Sequence, residues 1–411
     1  MKAILFLGLL LLDPLHAAAL RVSTDFDGGS AAIDAIDQER REIWIRPGGN
    51  PARGWPCWWF VRIDGLAAGE EAKLVLRGSE RSARNNGTDT GKPLASDWAM
   101  PIAATVSDDG KGWRQTGLGK RETDRITYPL EGNGGPLWVA WGPPFTPRET
   151  EALLAEAERA RPDLAKPFTL ATTREGRPVR ALQIVAAGKT REKPAVWVHA
   201  RQHAWESGSS WVARGFVEWL LSDVDAAEQL RERAQTMIVP IMDVDRVVTG
   251  DGGKEAAPHD HNRDWHQAPH YPEVTAAQDY LRAFAAEGRL ALVLDLHNPA
   301  SRDLRPFFFV GPPDLLSEKA RGNRERFLGL AAGHLTGPLT LDPKPRVTGP
   351  SYHPLWRRIS GQWVNDHGND HTLAACLETS WNTRHSTTDG YRIVGRQLGE
   401  ALAAYLLSPG L

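Results

Sequence analysis

The stretch 199-HARQHAWESGSSW-211 sets His203 and Glu206 three residues apart, with His199 and Arg201 just upstream. An imidazole and a carboxylate at that spacing, on a turn that leaves a strand, can close on one divalent cation. Two ligands do not make a site. A third donor is offered by His297, which ends the apolar run 290-LALVLDLH-297, where a histidine is a poor choice for packing alone. Zinc takes imidazole nitrogen and carboxylate oxygen readily, and three protein ligands with a fourth position open is the pattern of a catalytic zinc. His203, Glu206 and His297 are therefore the expected ligands of one zinc per chain.

Such residues need elements that bring them to one place. The run 195-AVWVHA-200 reads as a buried strand, and 209-SSWVARGFVEWLLS-222 repeats Val212, Phe216, Trp219 and Leu220 at helical spacing. His203 and Glu206 then lie on a strand-to-helix turn, where reactive groups gather in α/β sheets. Further strand candidates are 168-FTLAT-172, 178-PVRALQIVA-186, 236-TMIVPIMDVD-245, 305-RPFFFVG-311 and 372-TLAACLETS-380. Several are apolar on both alternations, as strands covered on both faces must be. An α/β domain over 145–411 with a largely parallel or mixed central sheet follows. Its start is marked by 145-FTPRETEALLAEAERA-160, where Thr146 can cap a helix with Glu149 reaching back, and Pro147 suits the first turn.

Before it, residues 20–144 alternate short apolar runs with turn residues: 42-EIWIR-46, 58-WWFVRIDGL-66, 72-AKLVLRG-78, 126-ITYPL-130 and 137-LWVAWG-142. No long helical period interrupts them, so a small antiparallel β-domain is expected. Trp55, Trp58 and Trp59 read as its core and its seam with the next domain rather than as a ligand platform. The 411 residues suffice for two domains, and 41% of them are hydrophobic. With 49 basic against 51 acidic residues there is no net field to attract nucleic acid or an anionic membrane. Residues 1–19, MKAILFLGLLLLDPLHAAA, combine a lysine, an apolar run from Ala3 to Leu12 and small residues at 17–19. This is the pattern of a secretory signal peptide and points to a periplasmic or secreted protein; no later run is long enough to span a membrane. The two cysteines, Cys57 and Cys376, lie in different halves of the chain, so no disulfide framework is expected, and Cys376 reads as a buried thiol.

Over Phe168 to Leu407 the chain resembles the M14 family of zinc carboxypeptidases. The resemblance rests on the HxxE pair, the distant His297, the Asn262–Arg263 pair in 258-PHDHNRDW-265, and Glu378 in 377-LETSW-381. The leading β-domain and the runs 199-HARQHAWE-206 and 261-HNRDW-265 are similar to the cytosolic-carboxypeptidase-like branch and its bacterial relatives, which implies a β-sandwich in front. It also implies hydrolysis of the C-terminal peptide bond of a peptide with a free C-terminus. Glu378 would be the general base and then the proton donor, Asn262 and Arg263 would bind the terminal carboxylate, and Asp260 would orient His203. Where the family usually places an arginine to stabilise the oxyanion, this sequence offers Lys254. Tyr352 is the nearest candidate for the family's mobile tyrosine. His259, His261, His266 and His270 are expected to line the cleft or shape its loop rather than bind a second metal, and Arg357 and Arg358 to belong to a solvated face. Two other functions fit the same residues less well: a zinc amidase or deacylase acting on N-acyl amino acids or peptidoglycan stems, and a peptide-binding module without catalysis. The presence of Glu378 together with all three ligands argues against the last.

Overall fold

The structure is a computed structural model that describes residues 18–186, 188 and 192–408, so the expected signal peptide lies outside the described residues except for Ala18 and Ala19. Within them, no helix is long and apolar enough to cross a membrane.

The N-terminal part is a pair of five-stranded sheets. Alternation does what the sequence suggests: in Glu42–Arg46 the two isoleucines are buried and their neighbours are not. Ile43, Ile45, Leu74, Leu76 and Tyr128 from one sheet meet Val61, Ile63, Leu137 and Val139 from the other in a common core. The pairing is not wholly antiparallel, because Glu42–Arg46 runs parallel to Glu71–Arg77. Between those two strands the chain crosses to the opposite sheet for Phe60–Asp64, so it returns in its original direction.

A helix at Pro147–Ala160 follows, opened by the expected capping box: the Thr146 N–H donates to Glu149 Oε2 at 2.7 Å. Beyond it lies an eight-stranded mixed sheet in the order Ala165–Thr172, Pro178–Ile184, Gln235–Val239, Ala195–Ala200, Leu290–His297, Leu373–Glu378, Phe307–Val310 and Arg346–Val347. The four central strands, from Gln235–Val239 to Leu373–Glu378, are mutually parallel, and the first three of them are buried at every residue. Helices cover the sheet, among them Ser207–Leu220 and Thr388–Leu407, which pack on one another.

Three details depart from expectation. The strand expected over 236–245 stops at Val239, because Pro240 has no N–H for the ladder and Asp243 caps a new helix, Val244–Thr249, by accepting from the Arg246 N–H. Cys376 is only partly buried and lines the cleft described below; it and Cys57 are both free thiols. The three tryptophans divide: Trp58 and Trp59 are core, their indole N–H groups given to the Gly28 and Ala99 carbonyls at 2.8 Å, whereas Trp55 reaches the cleft wall.

Candidate metal centre and active site

The strand Leu290–His297 has Ala195–Ala200 on one side and Leu373–Glu378 on the other, all parallel, and His297 stands in register with Glu378. The turn after Ala200, His297 and Glu378 therefore meet at one edge of the sheet, where the strands' carboxyl ends open into loops. Arg201 bends the chain there with φ of 64°, a left-handed conformation unusual for a bulky residue. Its buried guanidinium holds the turn shut by donating to the Ala204 carbonyl at 2.7 Å and the Phe145 carbonyl at 3.0 Å.

Within that turn His203 Nδ1 lies 2.8 Å from Glu206 Oε1, and His297 Nδ1 lies 2.6 Å from Glu206 Oε2. All three side chains are buried, and their ligand atoms sit within 4.8 Å of one another. The outer nitrogens face carboxylates: His203 Nε2 is 3.5 Å from Asp260 Oδ1, and His297 Nε2 is 2.9 Å from Asp295 Oδ1. Those carboxylates call for protons on the outer nitrogens, which turns both Nδ1 lone pairs toward Glu206. Two lone pairs and a carboxylate are then crowded together with no donor between them, an arrangement that a divalent cation satisfies and packing alone does not. Zinc fits this donor set. Burial raises the Glu206 carboxyl, but positive charge on His203 and His297, protons standing where the cation would sit, more than offsets it and lowers it to about 2.

Asp295 is a site residue that sequence reasoning passed over. Its Oδ2 accepts from Gln202 Nε2 at 2.7 Å and Ser360 Oγ at 2.5 Å, and Gln202 Oε1 in turn accepts from the Trp265 indole N–H at 2.7 Å. The signal was available: Asp295 and His297 are two apart on a strand, hence on one face.

The remaining expected residues converge on the same cleft. Glu378 lines it with an Oε2 that has no hydrogen-bond partner among the described residues, and burial raises its carboxyl to about 7. Asn262 and Arg263 sit on a short turn, His261–Arg263, both buried. The Asn262 side-chain carbonyl accepts from the Ser360 N–H at 3.1 Å, while Arg263 keeps a buried Nε without a partner and lies 5.8 Å from the Tyr352 ring centroid. Tyr352, itself exposed, is thus brought to the cleft beside Arg263. Lys254 Nζ lies 5.4 Å from the Trp55 ring centroid and makes no hydrogen bond or ion pair among the described residues.

The histidines around Asn262 point elsewhere. His259, Asp264 and His266 come close enough to hold a metal, but Asp264 already accepts the His270 and Tyr271 N–H groups at 2.9 and 2.8 Å. The cluster is a staple for the loop, and His270 joins it through its backbone. Arg357 and Arg358 are exposed. His261 stacks on Tyr271 at 3.8 Å and meets Glu273 Oε1 at 2.5 Å. Burial opposes its charge, but Asp243 and Glu273 prevail and raise its pKa. Such a group stabilises the fold fully below the unfolded value of about 6.5, and the contribution is lost as pH rises through the higher folded value. The stability difference between the protein and His261→Gln, followed by denaturant unfolding, should accordingly shrink from pH 6 toward pH 9; a constant difference would show that the pair is not charged.

The fold is shared with metallocarboxypeptidases of known structure. A metallo-carboxypeptidase from Burkholderia cenocepacia shares the fold with a TM-score of 0.76 at 21% identity, over 94% of this chain and 98% of that one. One from Pseudomonas aeruginosa gives a TM-score of 0.74 at 20% identity, over 93% and 98%. In sequence, residues 150–287 match the zinc carboxypeptidase family Peptidase_M14. Cytosolic carboxypeptidase 2 of Danio rerio is 26% identical over 267 residues, which make up 60% of this chain. The match spans 36% of that relative's length.

Proposed function

We propose that the protein is a zinc-dependent metallocarboxypeptidase that hydrolyses the C-terminal peptide bond of peptides with a free C-terminus. One observation carries the reading: Glu378, with an unpartnered buried oxygen, stands in register with His297 and faces the same cleft as Arg263. His203, Glu206 and His297 would hold the metal, with Asp260 and Asp295 steadying the two imidazoles. Zinc bound there supplies Lewis acidity toward the scissile carbonyl and toward water. Glu378 takes a proton from the attacking water and passes it to the leaving amine, and burial, which raises its carboxyl, favours its holding that proton between the two transfers. The Lys254 ammonium offers a positive charge to the carbonyl oxygen as it becomes negative, acting as a point charge where an arginine would offer a fork. Arg263 presents charged donors to the substrate's terminal carboxylate, with the Asn262 amide beside it. The pattern of residues 1–19 supports an enzyme that works in the periplasm or outside the cell.

The test is hydrolysis of matched peptides ending in a free acid or an amide, with zinc measured on the same sample. About one zinc per chain and cleavage of the free acid alone are expected. Protein without bound transition metal would end the reading, and equal turnover of the amide would move it to an amidase on this fold. Arg263→Ala should reduce kcat/KM on free-acid peptides by the worth of a charged hydrogen bond, about 1.5–3 kcal/mol.

A further inference from the structure

The N-terminal β-domain is not a separate body beside the cleft. Its loop 50–57 is clamped to the loop that carries Lys254: the Trp55 N–H donates to the Lys254 carbonyl at 2.9 Å, the Gly253 N–H to the Arg53 carbonyl at 3.0 Å, and the Ala257 N–H to the Ala52 carbonyl at 2.7 Å. The two backbones approach so closely that a Cβ on Gly252 would fall 2.0 Å from the Trp55 carbonyl oxygen, and one on Gly54 would fall 2.1 Å from the Gly253 nitrogen. Arg53 Nε and the Asn50 N–H both bind Asp251, at 2.5 and 2.6 Å. Trp55 is therefore held in fixed relation to the catalytic loops.

Most tryptophans near this junction are buried, as Trp58, Trp59, Trp141 and Trp205 are. Trp55 and Trp98 are not; both keep exposed area and line the cleft that holds Glu378 and Arg263. They meet edge to face at 4.8 Å, and Trp98 continues onto Trp205, beside the ligand Glu206, at 5.7 Å. The Trp55 indole is pinned to the Arg84 carbonyl at 2.8 Å, and Trp98 is braced by its own carbonyl, which accepts from the Trp141 indole at 2.9 Å. Two rigid aromatic faces open to a cleft are an apolar surface already ordered before binding. Arg263, with Tyr352 and Phe309 beside it, occupies another part of the same wall. A peptide whose terminal carboxylate rests on Arg263 must leave the cleft with the rest of its chain, and the tryptophan pair beside the metal-ligand turn is where that chain would pass.

We infer that Trp55 and Trp98 form an aromatic subsite, contributed by the N-terminal domain, for an aromatic or large apolar side chain on the substrate residue just upstream of the scissile bond. The inference rests on the carboxypeptidase reading. It is tested with N-acylated dipeptides that share one C-terminal residue and differ upstream, phenylalanine against glycine. The native protein should favour the phenylalanine substrate in kcat/KM by about tenfold or more. Trp98→Ala should bring that ratio to within about threefold of unity, and Trp98→Phe should restore most of it. Trp55→Ala should lower the ratio too, with an added loss of kcat on both substrates, because Trp55 also faces Lys254; Trp98→Leu replaces the alanine variant if that one fails to fold. Cleavage of both substrates with no preference, or a preference that survives in Trp98→Ala and Trp98→Leu, overturns the subsite and leaves the carboxypeptidase reading standing. No cleavage of any free-acid substrate by zinc-loaded protein overturns both.

Discussion

Glu378→Gln is expected to retain zinc and to lose turnover by a factor of about 10² to 10⁴, the usual share of general acid-base catalysis. Its strand is otherwise apolar or small, Leu373, Ala374, Ala375, Cys376 and Leu377, and a carboxylate with an unpartnered buried oxygen is a costly choice there unless it faces chemistry. Glutamine keeps the shape and the hydrogen-bonding reach while removing the base. Because Glu378 does not belong to the cluster of His203, Glu206 and His297, metal content measured by elemental analysis should match that of the native protein. Near-normal turnover, or loss of zinc from this variant, would assign Glu378 a structural role instead.

The second large effect belongs to His297, whose replacement should separate ligand from base. His297→Ala removes one of the three proposed metal donors and leaves Asp295 and Glu206 as buried carboxylates facing a void. Metal affinity and activity should fall together, with activity partly recovered only at high added zinc. A milder change in the same place, Asp295→Asn, removes the charge that orients the imidazole, and variants of this kind typically cost about 10- to 100-fold in metal affinity or activity. If His297→Ala bound zinc as tightly as the native chain while Glu378→Gln did not, the division of roles proposed for these two neighbours in register would be reversed.

The sequence by itself determined the class of fold, the placing of His203 and Glu206 on a strand-to-helix turn, and the histidine that closes the apolar strand Leu290–His297 beside them. All of these are written locally: a doubly apolar strand, a helical period beginning at Ser207, and a polar residue that closes an apolar run. The Asp295–His297 spacing was equally local and could have been read. Only the tertiary structure decided what supports the site from a distance. Gln202 and Ser360 reach Asp295 across 93 and 65 residues, and Trp265 reaches Gln202 across 63; nothing in a period of 2 or 3.6 residues says which side chain will stand opposite. The same holds for the parallel pair in the N-terminal sheets, which depends on a crossing between layers. It holds most clearly for Trp55, which in sequence is indistinguishable from its buried neighbours Trp58 and Trp59. Hydrophobicity reports that an indole prefers to leave water, but whether it does so in a core or on a cleft wall depends on the glycine-rich loop, more than 190 residues away, that docks against it.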